Sequence, residues 1–189
     1  MPPVRFKESN MSKALLIIDM QKFVSERIQQ GVDYFPQNSI ENMTSVIEQF
    51  RTSGRPVIHV RHQTPEQGSP LHHGSPSSQP LASFEERPGE PVFIKHTSSA
   101  FSSTGLLAHL QEANISEVVV IGAVAGFCVN STVRMGADLG LKMTVLKDAV
   151  LSFELEKSQL SAKAIHDVTL ALLEAGFAQV TDATALQLS

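Results

Sequence analysis

Tryptophan is missing from this 189-residue chain, tyrosine and cysteine occur once each, and no apolar run is long enough to cross a bilayer. A single cysteine excludes an intramolecular disulfide framework. The first ten residues, MPPVRFKESN, lack the apolar stretch of a secretory signal, so a cytoplasmic location is the default expectation. Basic charge is also scarce: the net charge is −4, which leaves no positive field for nucleic acid or an anionic membrane and points to a small-molecule substrate. Neither G-x-G-x-x-G nor a Walker lysine motif occurs, and Gly122-Ala-Val-Ala-Gly126 matches neither, so nucleotide cofactors have no support.

What the chain does have is alternation. Short apolar runs at Ala14–Asp19, Pro56–Arg61, Pro91–Lys95, Glu117–Ile121, Lys142–Leu146 and Ala178–Val180 read as strands. Helical spacing fills the intervals at 37–53, from Ser103 or Thr104 to about Ala113, from Cys128 to about Leu139, and at 159–175, with Gly54, Gly140 and Gly176 as stops. Strands alternating with helices predict one α/β domain with a mostly parallel sheet covered on both faces. Between His62 and Glu90 the pattern fails, and five of the ten prolines fall there, which predicts an irregular lid or binding loop.

Three ionisable residues stand where such a sheet places its chemistry, at the carboxyl ends of strands. Asp19 ends the first run and Lys95 the third, while Cys128 lies just after the Glu117–Ile121 strand, where small residues lead into a helix. A thiol in the first turn of a helix meets unpaired N–H groups and the positive end of the helix dipole, which favour thiolate. Taken alone, Cys128 reads more readily as a buried structural cysteine, and it is the company of Asp19 and Lys95 that favours a nucleophile. His59, His62, His72 and His73 raise the question of a metal, but no H-x-x-x-H helix or carboxylate at ligand spacing accompanies them, so they read as one strand histidine and solvated loop histidines. His166 and Arg134 read as packing residues of helices.

The ordered set Ile18-Asp-Met-Gln21, Val60-Arg-His62 with Gly68-Ser-Pro-Leu71 and Gly74-Ser-Pro76, Lys95-His-Thr-Ser-Ser-Ala-Phe101, and Gly122-Ala-Val-Ala-Gly-Phe-Cys-Val129 with Ser131-Thr-Val-Arg134 resembles the isochorismatase-like cysteine hydrolase superfamily. The resemblance covers about residues 12–182, leaving 1–11 as an N-terminal extension and 183–189 as a tail. It implies a Rossmann-like three-layer α/β/α domain with a six-stranded parallel sheet, assembled as a dimer or tetramer. It also implies a catalytic triad of Cys128 as nucleophile, Asp19 as general acid/base and Lys95 as the orienting cation. A cis peptide at Ala123–Val124 and an oxyanion hole from the N–H groups of Val124 and Cys128 follow from the same resemblance, which requires no organic cofactor.

Departures from the pattern sharpen the expectation. Nicotinamidase-type members hold a metal with Asp-x-His after the second strand, whereas the corresponding positions here are His62 and Thr64, so the resemblance implies a metal-independent member. The D-x-Q-x-D-F start is shortened to Asp19-Met-Gln21-Lys-Phe23. Phe23 and Phe127 are candidate pocket residues. Members that open a vinyl ether do not need the cysteine, so Cys128 favours C–N hydrolysis of a small amide, ureido or carbamoyl compound. The alternatives are an isochorismatase-type ether hydrolase using Asp19 and Lys95, and a non-catalytic binding or scaffold protein.

Overall fold

Alternate residues of the first strand face opposite layers, which is why it reads as continuously apolar. In β1 (Ser12–Ile18), Ala14, Leu16 and Ile18 belong to one buried cluster, and Leu15 and Ile17 to another. The computed structural model describes residues 12–188, so the expected N-terminal extension lies outside the described residues. After β1 come α1 (Lys22–Gln29), β2 (Tyr34–Phe35), α2 (Ser39–Thr52), β3 (Val57–His62), β4 (Val92–Lys95), α3 (Leu106–Glu112), β5 (Ile115–Ala123), α4 (Asn130–Asp138), β6 (Lys142–Phe153), α5 (Ala162–Glu174) and β7 (Ala178–Thr181). Helices α1 and α2 pack on the layer of Leu15 and Ile17; α3, α4 and α5 pack on the other. No helix among the described residues is long and apolar enough to cross a membrane.

Six strands run parallel in the order β7-β6-β5-β1-β3-β4. The expectation of six needs one addition: the two-residue β2 pairs antiparallel with the far end of β6, Tyr34 opposite Phe153, and makes a seventh strand too short for any hydrophobic period to reveal. Strand β6 also runs well past the expected Leu146. Its pairing with β5 is interrupted between Val120 and Gly122, and this irregularity carries the strand through Lys147 and Asp148 to Val150 and Leu151.

From β1 the chain moves to β3 and β4 on one side, then returns to β5 and moves to β6 and β7 on the other. The β1/β5 junction is therefore the switch point where open α/β sheets form a crevice. Gly122 makes that junction tight: it pairs with Ile18 at a φ of +125°, and a Cβ there would lie 2.1 Å from the Ile18 carbonyl oxygen. Only glycine lets the two backbones approach so closely.

The segment expected as an irregular lid or binding loop contains no regular helix or strand and is tied to the domain by hydrogen bonds. It contains 3-10 turns at Pro76–Ser78 and Ala82–Phe84 and short bridges joining Thr64 to His72 and Gln21 to Pro80. Fully buried Gln21 donates to the carbonyls of His62 and Ser78 and accepts from the His62 N–H at 2.9 Å. Residues 183–188, expected as a tail, pack against the domain: Ala183 N–H donates to Asp148 Oδ1, and Leu186 and Leu188 join the α2 layer.

Glu90 closes the other end of the segment. Its carboxylate takes a two-pronged contact from Arg51 at 2.7 and 2.9 Å, the Arg87 N–H at 2.9 Å, and His59 Nε2 at 2.8 Å. Burial pushes its pKa up, but the Arg51 fork, the Arg87 N–H and His59 outweigh that and hold it at about 2. A carboxylate depressed on folding stabilises the fold above its unfolded pKa and loses that contribution as pH falls through the folded one. Glu90 therefore contributes stability at neutral pH that is lost between roughly pH 4.5 and 2. Urea unfolding of Glu90→Gln is expected to give a lower midpoint at pH 7 and a weaker decline across that acid window than wild type. An unchanged acid decline would contradict the assignment.

Candidate active site

Asp19, the first residue beyond β1, adopts a left-handed φ of +51° that aspartate tolerates, and its N–H donates to the Val60 carbonyl. Lys95 is the last residue of β4. Cys128 lies in a single π-helical turn, Ala125–Val129, between β5 and α4. The sequence expected a helix from Cys128 onward; the regular helix begins at Asn130, so the thiol sits in the irregular turn before it. Such turns concentrate at functional sites. Ala100 N–H donates to buried Thr132 Oγ1 and ties the chain after Lys95 to the helix after Cys128.

These three residues, distant in sequence, meet. Lys95 Nζ is fully buried, 2.9 Å from Asp19 Oδ2 and 3.2 Å from Cys128 Sγ, and it also donates to the Thr97 carbonyl at 3.2 Å. A fourth partner went unrecognised in the sequence: His62 Nδ1, 2.9 Å from the same nitrogen. The reading of His62 as a solvated loop histidine is thus corrected. It is the last residue of β3, directly opposite Lys95 in the parallel register, and half-buried. The signal was available, because β3 lies between β1 and β4 and its last residue is ionisable; ending the strand one residue early at Arg61 hid it.

The electrostatics also differ from the expectation of a ready thiolate. Burial, then the Asp19 carboxylate, pushes the Cys128 thiol up to about 12, and Lys95 offsets only part of this. Burial likewise raises the Asp19 pKa against the lowering influence of Lys95. Asp19 Oδ1 is buried and has no hydrogen-bond partner among the described residues, with the thiol beside the same carboxylate. A reluctant acid beside a strengthened base is suited to passing one proton between them.

The other sequence candidates fall on both sides. Phe23 and Phe127 line one recess with Val124, Arg27, Phe153 and Leu155, and Phe127 is 53% exposed. The Ala123–Val124 peptide is cis. His59 is buried on Glu90; His72 and His73 stack on one another in the loop. His166 binds the Lys147 carbonyl, and Arg134 lies over the Phe177 ring, both packing roles. Ligand atoms for a metal exist at the site itself, since Asp19, His62 and Cys128 offer three within 4.8 Å of one another. The Lys95 ammonium stands against all three.

A family model described as the isochorismatase domain matches residues 13–185. The isochorismatase family protein YddQ of Bacillus subtilis is 30% identical over 184 residues, covering 90% of this chain and 96% of that protein. Nicotinamidase 3 of Arabidopsis thaliana is 28% identical, over 93% of this chain and 87% of that one. The crystal structure of an isochorismatase-family protein from Chromobacterium violaceum matches with a TM-score of 0.86 at 32% identity, covering 97% of this chain and 95% of that chain.

Proposed function

The chain belongs to the isochorismatase family and is a hydrolase, and from that premise we propose that it cleaves the C–N bond of a small amide, ureido or carbamoyl compound through a thioester on Cys128. The observation that carries the reading is the contact of Cys128 Sγ with Lys95 Nζ beside a buried, base-strengthened Asp19. The similarity to a nicotinamidase, whose name describes an amide hydrolase, supports the same bond type.

In this reading the thiol proton moves to Asp19 as Sγ attacks the carbonyl carbon, because a thiol held near 12 is not ionised beforehand. The backbone N–H groups of Val124 and Cys128 are the proposed donors to the oxyanion, and Lys95 offsets the negative charge shared by Asp19 and sulfur. Asp19 then gives its proton to the departing nitrogen, the C–N bond breaks, and the acyl group remains on sulfur. Water surrenders a proton to Asp19, attacks the thioester, and the proton returns to the leaving sulfur. The recess of Phe23, Val124 and Phe127 holds the apolar part of the substrate. A homo-oligomer is part of the same proposal, since Phe127, Leu155, Leu160 and Val168 expose an apolar groove next to this recess.

The test is ammonia release from a panel of primary amides, ureido acids and carbamoyl compounds, nicotinamide among them. At least one is expected to be turned over, and turnover is expected to survive dialysis against EDTA unchanged, because Lys95 supplies the cation at the only set of three clustered ligands among the described residues. Loss of activity on chelation, restored by zinc or iron, would overturn the metal-independent mechanism.

A further inference from the structure

His62 has the geometry of a working residue, and the chemistry of its neighbour fixes its form. Lys95 Nζ carries only donors, so a ring nitrogen 2.9 Å away must accept. Nδ1 is then unprotonated and the proton of the neutral ring sits on Nε2. Burial, followed by the positive charge of Lys95, lowers the His62 pKa and keeps the ring neutral, while Asp19 pulls the other way and His96 adds to the lowering. The backbone is held as firmly: buried Gln21 binds both its N–H and its carbonyl. With Nδ1 committed, Nε2–H has no protein partner among the described residues, and the residue is half-buried at the site.

Four acceptors surround the three protons of Lys95 Nζ, and the two nearest are Asp19 and His62. Removing His62 would leave the ammonium free to settle on Asp19 and Thr97, away from sulfur. Resting on the thioester reading above, we propose that His62 is locked as its Nε2–H tautomer, acting through Nδ1 as the positioning residue for Lys95 and through Nε2–H as a donor to an acceptor oxygen of the substrate. The site thereby favours substrates carrying a second carbonyl or carboxylate oxygen near the scissile amide.

Asparagine and glutamine separate the two nitrogens. The amide oxygen of asparagine can replace Nδ1 as acceptor, and the amide N–H of glutamine can replace Nε2–H as donor. On the panel compound turned over fastest by wild type, His62→Asn is expected to hold kcat within about threefold while KM rises about tenfold, the worth of one hydrogen bond. His62→Gln is expected to hold KM more closely while kcat falls about thirtyfold or more, in the range of a displaced catalytic group. Equal losses in both variants, or none, would overturn the proposal. Nitrogen-15 NMR of labelled histidine in the wild-type protein reads the tautomer without any substrate: protonated Nε2 and bare Nδ1 are expected at pH 7, and an Nδ1–H tautomer or an imidazolium would overturn it even if a variant failed to fold. Failure of the thioester reading is distinct, because it would appear as retained turnover in Cys128→Ala.

Discussion

Cys128→Ala is expected to lower turnover by about 10⁴-fold or more while leaving the protein folded, since removing a nucleophile abolishes the step on which the rest of the site acts. The fold should survive because the buried Lys95 ammonium keeps three of its four partners, Asp19, His62 and the Thr97 carbonyl, and so is not left an unpaired charge. Only a small side chain is lost from a half-buried turn. Turnover is read by ammonia release and folding by circular dichroism and the urea midpoint. Wild-type-like ammonia release by the folded variant would rule out covalent catalysis on Cys128, whereas a vinyl ether hydrolase activity that survives in the variant would favour the alternative reading, because that chemistry needs Asp19 and Lys95 but no thiol.

Asp19→Asn is expected to separate thiol reactivity from catalysis. The carboxylate is the second cause, after burial, of the raised Cys128 pKa, so removing its charge shifts the thiol downward and increases the thiolate fraction at any given pH. Thiolate absorbance near 240 nm (a general property of the group) should therefore titrate at lower pH than in wild type, and alkylation by iodoacetamide at pH 8 should be faster. Turnover should nonetheless fall by about 10²- to 10⁴-fold, the range for loss of a general acid/base. In wild type the same raised Asp19 pKa predicts that activity fails on the acid side above the ordinary aspartate range, as the base becomes protonated. A variant with an unchanged thiol titration, or with turnover intact, would remove Asp19 from its role.

Much of this architecture can be read from the chain because the physics that forms it is local. A strand buried on both faces must be apolar throughout, as Leu15 to Ile18 are, and its first polar residue marks the sheet edge where ligands bind. Asp19 is legible for that reason, Lys95 as the charged end of the short apolar run Pro91–Lys95, and Cys128 as the lone cysteine where a strand gives way through small residues to a helix. Features that depend on spatial neighbours are not. Helix α1 is only eight residues long and buries fully only Val24, and β2 is two residues long. The order of residues 62–90 comes from Gln21 and Glu90, whose partners lie far away in sequence. The role of His62 depends on which strands adjoin, and the thiol's reluctance to ionise depends on burial and on a carboxylate more than a hundred residues earlier.

The thioester itself is the most direct object of measurement. Wild-type protein mixed with the panel compound it turns over fastest, quenched in acid within the first turnover and mapped by peptide mass spectrometry, is predicted to carry the acyl part of the substrate on Cys128, lost on treatment with hydroxylamine. Turnover that proceeds with Cys128 unmodified at every quench time, or an acyl group found on another residue, would contradict the account.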